Sequence, residues 1–500
     1  MPGAGAAWWR RPGTIATAAL LAVVAAQFAL AIHRMFMSTG VYFGDDWLHL
    51  LLSRRVLHHW TTILGIWGRP AVTAAYVPAA AGGMWSVHLE GAIVLGATTV
   101  AVMGLARALG LRAWPAAGIL LLAQPFTVLL AYGAMPEPIF ALLLATALLL
   151  RRTGHHLSAV LVASLLPLAR LEGVVVLAVW AVVEMWERSW RWRTSPLLAS
   201  GVVGWAVVGG AAHHQPLWLL TSNRFLTAHT YTQTAGWAFV LTATGVAFGG
   251  VVCGLAIASI ARPAFPDVLV PTMTVVLVGF YTCSWGLGLF QTISTPVYLV
   301  SLSVPVALLA LHTLVTTSMS ARVAWWRDLV AVALGVACAS APSFVTVPSV
   351  PTVTMRATGV VVVVAVVAGH LRARHVAAIL GATAVAAALV LAVPAEPPIP
   401  LGSNQPETAA VMQRLGSNGA RLTAYADLAV GFLLGRDSNP GPYRAGVRAT
   451  PLGGDVLWEA HHATLEHHTS LAWIERQGFT IAWTYGRGRS RAVLLVRTRA

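Results

Sequence analysis

The amino-acid sequence predicts a polytopic α-helical membrane protein with about 11 to 13 transmembrane helices and a small C-terminal α/β domain. Hydrophobic residues make up 57% of the 500 residues and charged residues only 10%, whereas soluble proteins carry roughly 25% charged residues. The mean hydropathy is +0.73. Apolar stretches near the roughly 20 residues that cross a bilayer recur from residue 13 to residue 393.

The predicted spans follow the apolar runs in order. They cover residues 13–33, 88–106, 113–131, 138–150, 156–171, 172–187, 197–212, 236–261, 268–288, 296–316, 328–346, 358–371 and 376–393. The net charge of +15 comes from 32 basic residues, all of them Arg, in short clusters between the spans. Positive loops stay cytoplasmic, so an inside N-terminus places these clusters on the inner face. Membrane orientation therefore accounts for the basic charge, and no nucleic-acid partner is expected.

The same alternation predicts which segments face outwards. They are a first loop (34–87), a second loop (213–235), a stretch near 281–295 and the tail. A composition rich in Ala, Val, Gly and Arg is typical of a GC-rich bacterium, so the membrane would be a bacterial plasma membrane. We divide the chain into a transmembrane domain, 1–393, and an extracytoplasmic α/β domain, 394–500. The last stretch predicts a β-hairpin that turns at Gly486–Gly488.

Acidic residues are rare before the tail, and five of the nine lie at or near the predicted outer face. They are Asp45, Asp46, Glu90, Glu137 and Glu172. An ionisable group at membrane depth costs about 2.5–3.5 kcal/mol on insertion scales and usually serves a function. Their common face predicts a polar site on the outer side of the membrane.

The segment "GDDWLHLLLSRRVLHHWTTILGIW" predicts an amphipathic helix in the membrane interface. Trp and Leu fall at helical spacing on one side, and His49, Ser53, His58 and Thr62 fill much of the other. Asp45 and Asp46 would then cap the helix and interact favourably with its dipole. The same placement suits a general base at the membrane surface, and the two interpretations are compatible.

Two further segments place charge inside apolar sequence. In "YGAMPEPIF", Glu137 lies between two prolines at the start of a predicted helix, which suits a helix N-terminus. In "LARLEG", Arg170 and Glu172 lie where two short helices, 156–171 and 172–187, are expected to meet. These two side chains could pair with each other, or Arg170 could bind a phosphate.

Metal binding has little support in the sequence. His213 and His214 precede Arg224 in the second outer loop, with no carboxylate nearby. The tail segment "HHATLEHH", 461–468, could in principle bind a transition metal, but a solvated helix is the favoured interpretation. No P-loop, GxGxxG or HExxH motif is present, so nucleotide-driven transport and zinc proteolysis lack support.

The order of these motifs resembles the GT-C superfamily of membrane glycosyltransferases. The Asp45–Asp46 pair after the first helix, "MPEPIFALLLATALLL" and "LLPLARLEGVVVL" resemble features of that superfamily, with Leu171 where Pro is common. The resemblance implies an inverting sugar transfer on the outer face. The donor would be a polyprenyl-phosphate sugar, such as a mannose or arabinofuranose carrier, and the acceptor a hydroxyl of a glycan, lipid or protein.

The resemblance also implies roles for individual residues. Asp45 or Asp46 would be the base that activates the acceptor, and the sequence leaves open which one. Arg170 and Arg224 would contact the donor phosphate. Glu137 and Glu172 would position sugar hydroxyls or the arginines, with His49 as a further positioning candidate. Some relatives use a divalent cation, and the sparse acids leave its presence here an open expectation.

Two other classes of protein compete with this interpretation. A transporter or lipid flippase would also place charges within the membrane, but such proteins tend to show paired halves with matching broken helices. No such symmetry is visible in this sequence. A non-catalytic membrane scaffold would have less reason to gather five acids on one face.

Overall fold

The computed structural model describes residues 14–41, 44–221, 243–245, 247–260, 265–286, 296–317, 406–436, 443–460, 462–488 and 491–499. The predicted spans 328–346, 358–371 and 376–393 lie outside these residues, as do the linker that follows them and most of the second outer loop. Among the described helices, four are long and apolar enough to cross a membrane, and three shorter apolar helices accompany them. This confirms the prediction of a polytopic α-helical membrane protein.

The described helices are numbered along the chain. They are α1 (Thr14–Met37), α2 (Gly44–Val56), α3 (Pro70–Gly82), α4 (Met84–Ala108), α5 (Ala116–Leu122), α6 (Pro125–Leu130), α7 (Pro136–Arg152), α8 (His156–Ser164), α9 (Leu166–Ala169), α10 (Gly173–Trp186), α11 (Ser200–His213), α12 (Trp218–Thr221), α13 (Gly250–Ile260), α14 (Leu269–Gly286), α15 (Ser303–Thr317), α16 (Pro406–Leu415), α17 (Leu428–Leu433), α18 (Tyr443–Ala449) and α19 (Leu471–Arg476). The strands are β1 (Leu422–Tyr425), β2 (Asp455–Glu459), β3 (Phe479–Tyr485) and β4 (Ala492–Arg497).

Contacts divide the chain into two compact units. The first contains residues 1–34, 92–131 and 136–397, and the second contains 35–91, 132–135 and 398–500. The first unit thus holds most of the apolar helices. The second combines α2, α3 and the α/β sheet. The predicted domain boundary at residues 393 and 394 stays a prediction.

Several helix ends in the first unit follow from local sequence. Helix α7 begins at Pro136, with Glu137 in its first turn, as predicted from the preference of Pro and acids for helix N-termini. The helical run from residue 156 breaks at Arg170, whose backbone is extended, before α10 begins at Gly173. This confirms the predicted break at "LARLEG". The predicted span 113–131 is instead two short helices, because Pro125 holds Gln124 in an extended conformation.

The sheet of the second unit has the strand order β1-β2-β4-β3. Strand β1 pairs with β2 in parallel, whereas β2 with β4 and β3 with β4 are antiparallel. The predicted C-terminal hairpin is confirmed by the β3–β4 pairing and by the positive φ of Gly486 and Gly488 at its turn. Buried residues from both faces of the sheet form two apolar clusters with the surrounding helices.

The predicted interfacial helix differs from the one observed. Helix α2 ends at Val56, and a short 3-10 turn, Trp60–Leu64, follows. The predicted polar side is also wrong, since Ser53 is fully buried and His49 only 5% exposed. These polar groups face the packed side of α2 rather than solvent.

Candidate active site

The two acids in the first turn of helix α2 differ in their exposure to solvent. Asp45 is exposed, whereas Asp46 is 1% exposed. At 3.6 residues per turn, Asp46 shares the buried face with Leu50 and Ser53, while Asp45 lies about 100° away from Asp46 around the helix. Both carboxylates lie in the first turn, where the helix dipole favours negative charge. Only Asp45 is therefore accessible to a molecule arriving from solvent.

The buried Asp46 binds the backbone just before α7. Its Oδ1 atom accepts a hydrogen bond from the amide of Ala134 at 2.7 Å. Gly133 permits this approach, because a Cβ atom at that position would lie 2.3–2.7 Å from the carboxylate of Asp46. Tyr76 of α3 donates a hydrogen bond from its hydroxyl to the carbonyl of Met135 at 3.4 Å. Segment 132–135 is thus held by side chains of both α2 and α3.

In the first unit, Arg170 lies between two carboxylates. Its Nε and Nη2 atoms donate to Glu172 at 3.2 and 2.7 Å, and its Nη1 atom donates to Oε1 of Glu137. Arg170 is 1% exposed and Glu137 is fully buried. The pairing of Arg170 with Glu172 that the sequence suggested is thus present, and Glu137 joins it from α7.

Tyrosine rings complete the surroundings of Arg170. The guanidinium carbon lies 4.5 Å from the ring centroid of Tyr298, a cation–π distance. The fully buried hydroxyl of Tyr281 lies 3.3 Å from Oγ of Ser301. Sequence reasoning missed both tyrosines, because the only signal was a polar aromatic residue inside an apolar run.

Two carboxyl groups share one guanidinium. Glu137 and Glu172 both pair with Arg170. A buried guanidinium needs such partners, because an unpaired buried charge is strongly unfavourable. Nε, Nη1 and Nη2 of Arg170 all donate to these carboxyl groups. The predicted contact with a donor phosphate stays a prediction.

Close packing fixes the turn that carries Arg170. A Cβ atom on Gly173 would lie 2.4 Å from the backbone carbon of Leu166 and from the nitrogen of Pro167. Backbone cannot yield at this distance, so only glycine allows the start of α10 to approach α9. The glycine of "LARLEG" thus sets the position of the two residues that pair within the same motif.

The remaining candidates lie elsewhere or outside the described residues. Arg224 is outside them. His213 stacks on Trp218 with ring centroids 4.6 Å apart. In the tail segment, Nδ1 of His462 lies 2.7 Å from Oε2 of Glu459, and His467 stacks on Tyr443.

The tail segment differs from the solvated helix that the sequence suggested. Residues His462–Glu466 form a short π-helical turn, and His462 and His467 pack against the domain because Glu459 and Tyr443 offer them partners. Across the described ranges, no three His, Cys, Asp or Glu residues come together in a way that could hold a metal ion.

Comparison with known proteins gives matches in fold. No protein-family model and no curated protein sequence matches the chain. ArnT from Cupriavidus metallidurans bound to undecaprenyl phosphate is similar, with a TM-score of 0.60 and 15% identity over 97% of this chain and 98% of that one. Its apo state also gives 0.60, with 16% identity over 97% and 99%. Arabinofuranosyltransferase AftD from Mycobacteria gives 0.43, with 14% identity over 95% of this chain and 40% of that one. The ArnT likeness spans nearly all of both chains and shows a shared fold.

Proposed function

We propose, from the fold shared with ArnT and from the resemblance of the sequence motifs to the GT-C superfamily, that this chain is an inverting glycosyltransferase. It would move a sugar from a polyprenyl-phosphate donor to an acceptor hydroxyl on the outer face of the plasma membrane. The ArnT structure with undecaprenyl phosphate bound supports a donor of this lipid class. The C-terminal α/β domain would lie on the same outer face.

The observation that carries the proposal is that only one of the two neighbouring acids is exposed to solvent. Asp45 is exposed at the N-terminus of α2, and the buried Asp46 binds the amide of Ala134 at 2.7 Å. A rigid helix end with one accessible carboxylate is what a general base needs. We assign Asp45 as the base and Asp46 as the residue that anchors the helix.

The proposed reaction is a single displacement. The carboxylate of Asp45 takes the proton of the acceptor hydroxyl, and the acceptor oxygen attacks the anomeric carbon of the donor sugar. The bond from that carbon to the phosphate oxygen breaks, and polyprenyl phosphate leaves with the electron pair. Attack from the side opposite the phosphate inverts the anomeric configuration. Phosphate is a stable anion, so no strong general acid is required.

Roles for the first-unit residues are part of the proposal. Glu137 and Glu172 are held by Arg170, which fixes their orientation. Glu172, which is partly buried, would position a sugar hydroxyl, and Glu137, which is fully buried, would position Arg170. We favour this positioning role for Arg170 over direct phosphate binding, because two carboxylates already surround it. Arg224 keeps its proposed role at the donor phosphate.

The test uses the purified full-length protein. A panel of polyprenyl-phosphate sugars, including mannose and arabinofuranose donors, is offered with and without acceptor, and transfer and donor hydrolysis are measured. We expect turnover of at least one donor, with loss of turnover in Asp45→Asn. If no donor is turned over but the protein moves solute or lipid across liposome membranes, the transporter alternative is correct instead. The panel also decides between a hexose and a pentose.

A further inference from the structure

We propose that Phe432, in the C-terminal sequence, is a positioning residue for Asp45 that acts through Trp47 and Arg54 of helix α2. The inference rests on the proposed function, since it takes Asp45 as the base. It gives the C-terminal α/β sequence a part in the reaction. All of the contacts involved lie within the second compact unit.

Two residues of α2 enclose the ring of Phe432. The ring centroid of Trp47 lies 5.5 Å from that of Phe432, and the guanidinium carbon of Arg54 lies 4.1 Å from the Phe432 centroid. Trp47 and Arg54 are seven residues apart, so they lie two turns apart on one face of the helix. A single phenylalanine therefore contacts α2 along most of its length.

Arg54 adds directed hydrogen bonds to this contact. Its Nη1 atom donates to the carbonyl of Phe432 at 3.2 Å, and its Nε atom donates to the carbonyl of Ala80 at 3.0 Å. Arg54 is only 9% exposed and Phe432 only 3%. A buried guanidinium must satisfy its donors, so these bonds fix Arg54 relative to both α3 and α17. The C-terminal end of α2 is thereby held at two points.

Helix α17, which carries Phe432, is itself held in place by hydrogen bonds. Phe432 lies on α17, whose N-terminus is capped by Asp427 through a hydrogen bond from the amide of Ala429 at 2.8 Å. The second carboxylate oxygen of Asp427 accepts from the hydroxyl of Thr408 at 2.7 Å. A capped, packed helix presents Phe432 in one orientation. Movement of α17 would be passed directly to Trp47 and Arg54.

Helix α2 depends on such partners. It has 13 residues, and isolated helices shorter than roughly 12–15 residues are marginal in water. Asp46 fixes its first turn through Ala134, and Phe432 contacts the face that continues to Arg54. Rotation about the helix axis decides which way Asp45 points, since each residue step is about 100°. The Phe432 contact opposes that rotation.

The experiment compares Phe432→Ala with Phe432→Tyr in the full-length protein. Hydrogen exchange of residues 44–56 reports the order of α2 whether or not the protein is an enzyme. We expect Phe432→Ala to accelerate this exchange. It should lower kcat by about tenfold or more while KM for the donor stays within about twofold, because misplacement of a reacting group costs turnover more than donor binding. Phe432→Tyr keeps the ring but adds a hydroxyl at a site that is only 3% exposed, so it should fall between wild type and Phe432→Ala.

The matched control is Phe479→Ala. Phe479 is also 3% exposed and packs in the sheet core, so its loss should loosen β3 and β4 without changing exchange in α2 or kcat. Arg54→Gln tests the contact from the other side and should reproduce the effect of Phe432→Ala. Wild-type exchange in α2, or wild-type kcat despite faster exchange, would overturn the inference. Should the wild type turn over no donor, the proposed function fails, and exchange in α2 alone decides whether Phe432 holds the helix.

Discussion

The carboxylate of Asp46 accepts the amide hydrogen of Ala134 at 2.7 Å, although the two residues lie 88 positions apart in sequence. This bond joins the helix of the acid pair to the segment that leads into α7. Hydrogen bonds to a charged acceptor are among the stronger ones in proteins. The neighbouring Asp45 lies in the same helix turn but is exposed to solvent.

Substitution of the two acids should therefore have different effects. We expect Asp45→Asn to lower kcat by about 10²–10⁴-fold, the range for loss of a general base. Loss of its charge from the first turn of α2 should lower stability by no more than about 1 kcal/mol. Asp46→Ala should instead destabilise the protein by about 1–3 kcal/mol, because the buried amide of Ala134 loses its acceptor. Steady-state turnover and urea unfolding in detergent measure the two effects. Wild-type kcat in Asp45→Asn would contradict the assignment of the base.

Gly133→Ala should disturb the Asp46 carboxylate. Its new Cβ atom would lie 2.3–2.7 Å from three atoms of that group, so either the carboxylate or the backbone must move. We expect lower stability and a lower kcat, measured as above. Gly204→Ala is the matched control, since nothing lies within 4 Å of its added Cβ and Ala favours a helix interior. Equal stability of the two variants would show that the close approach is not required.

Loss of Arg170 should destabilise the protein severely. Arg170→Gln would leave buried Glu137 and partly buried Glu172 without their cation, and breaking a buried ion pair in this way costs about 3–5 kcal/mol. Arg151→Gln is the control, because Arg151 also bridges two carboxylates, Glu187 and Asp267, at 2.8 Å. Its Glu187 partner is 32% exposed, so solvent screening should make the loss smaller. Equal losses in urea unfolding would refute the buried-charge argument.

The folded state of the C-terminal α/β region should become more stable as the pH is lowered. Burial raises the pKa of the Asp427 and Asp455 carboxyls above the ordinary 3.8 and that of Glu407 above 4.5. The folded state then binds protons more tightly than the unfolded state, so its stability increases as pH falls from neutral through these raised pKa values. The gain is complete below the ordinary values, where both states are protonated.

Hydrogen exchange corrected for the intrinsic pH effect measures this trend. Protection of residues 422–433 should increase as the pH is lowered from neutral towards the ordinary carboxyl pKa values of 4.5 and 3.8. Asp427→Asn should weaken the dependence, because the amide cannot titrate yet keeps an oxygen for the cap of α17. Protection that falls over the same range would contradict the sign of the raised pKa values.

Features governed by neighbouring residues were predictable from the sequence. The prolines around Glu137, the break at "LARLEG" and the glycine turn of the hairpin follow from backbone preferences that act over a few residues. The pairing of Arg170 with Glu172 is of the same kind, since they are two positions apart.

Features that depend on tertiary packing were not predictable. The bond from Asp46 to Ala134 and the tyrosines near Arg170 bring together distant parts of the chain. The end of α2 at Val56 was missed because apolar periodicity continued past the true helix. His49 and Ser53 were expected in solvent, yet the second unit buries them, since the face of α2 that they occupy packs against other elements.

The pairing around Arg170 also has a consequence for how the chain enters the membrane during synthesis. Arg170 and Glu172 emerge together, so each can neutralise the other as soon as their segment inserts. Glu137 is made 33 residues before Arg170. Until that length of chain has followed, α7 must cross into the bilayer with an acid whose eventual cation does not yet exist. Because a buried charge without a partner is unfavourable, we expect full burial of Glu137 only after Arg170 has been made.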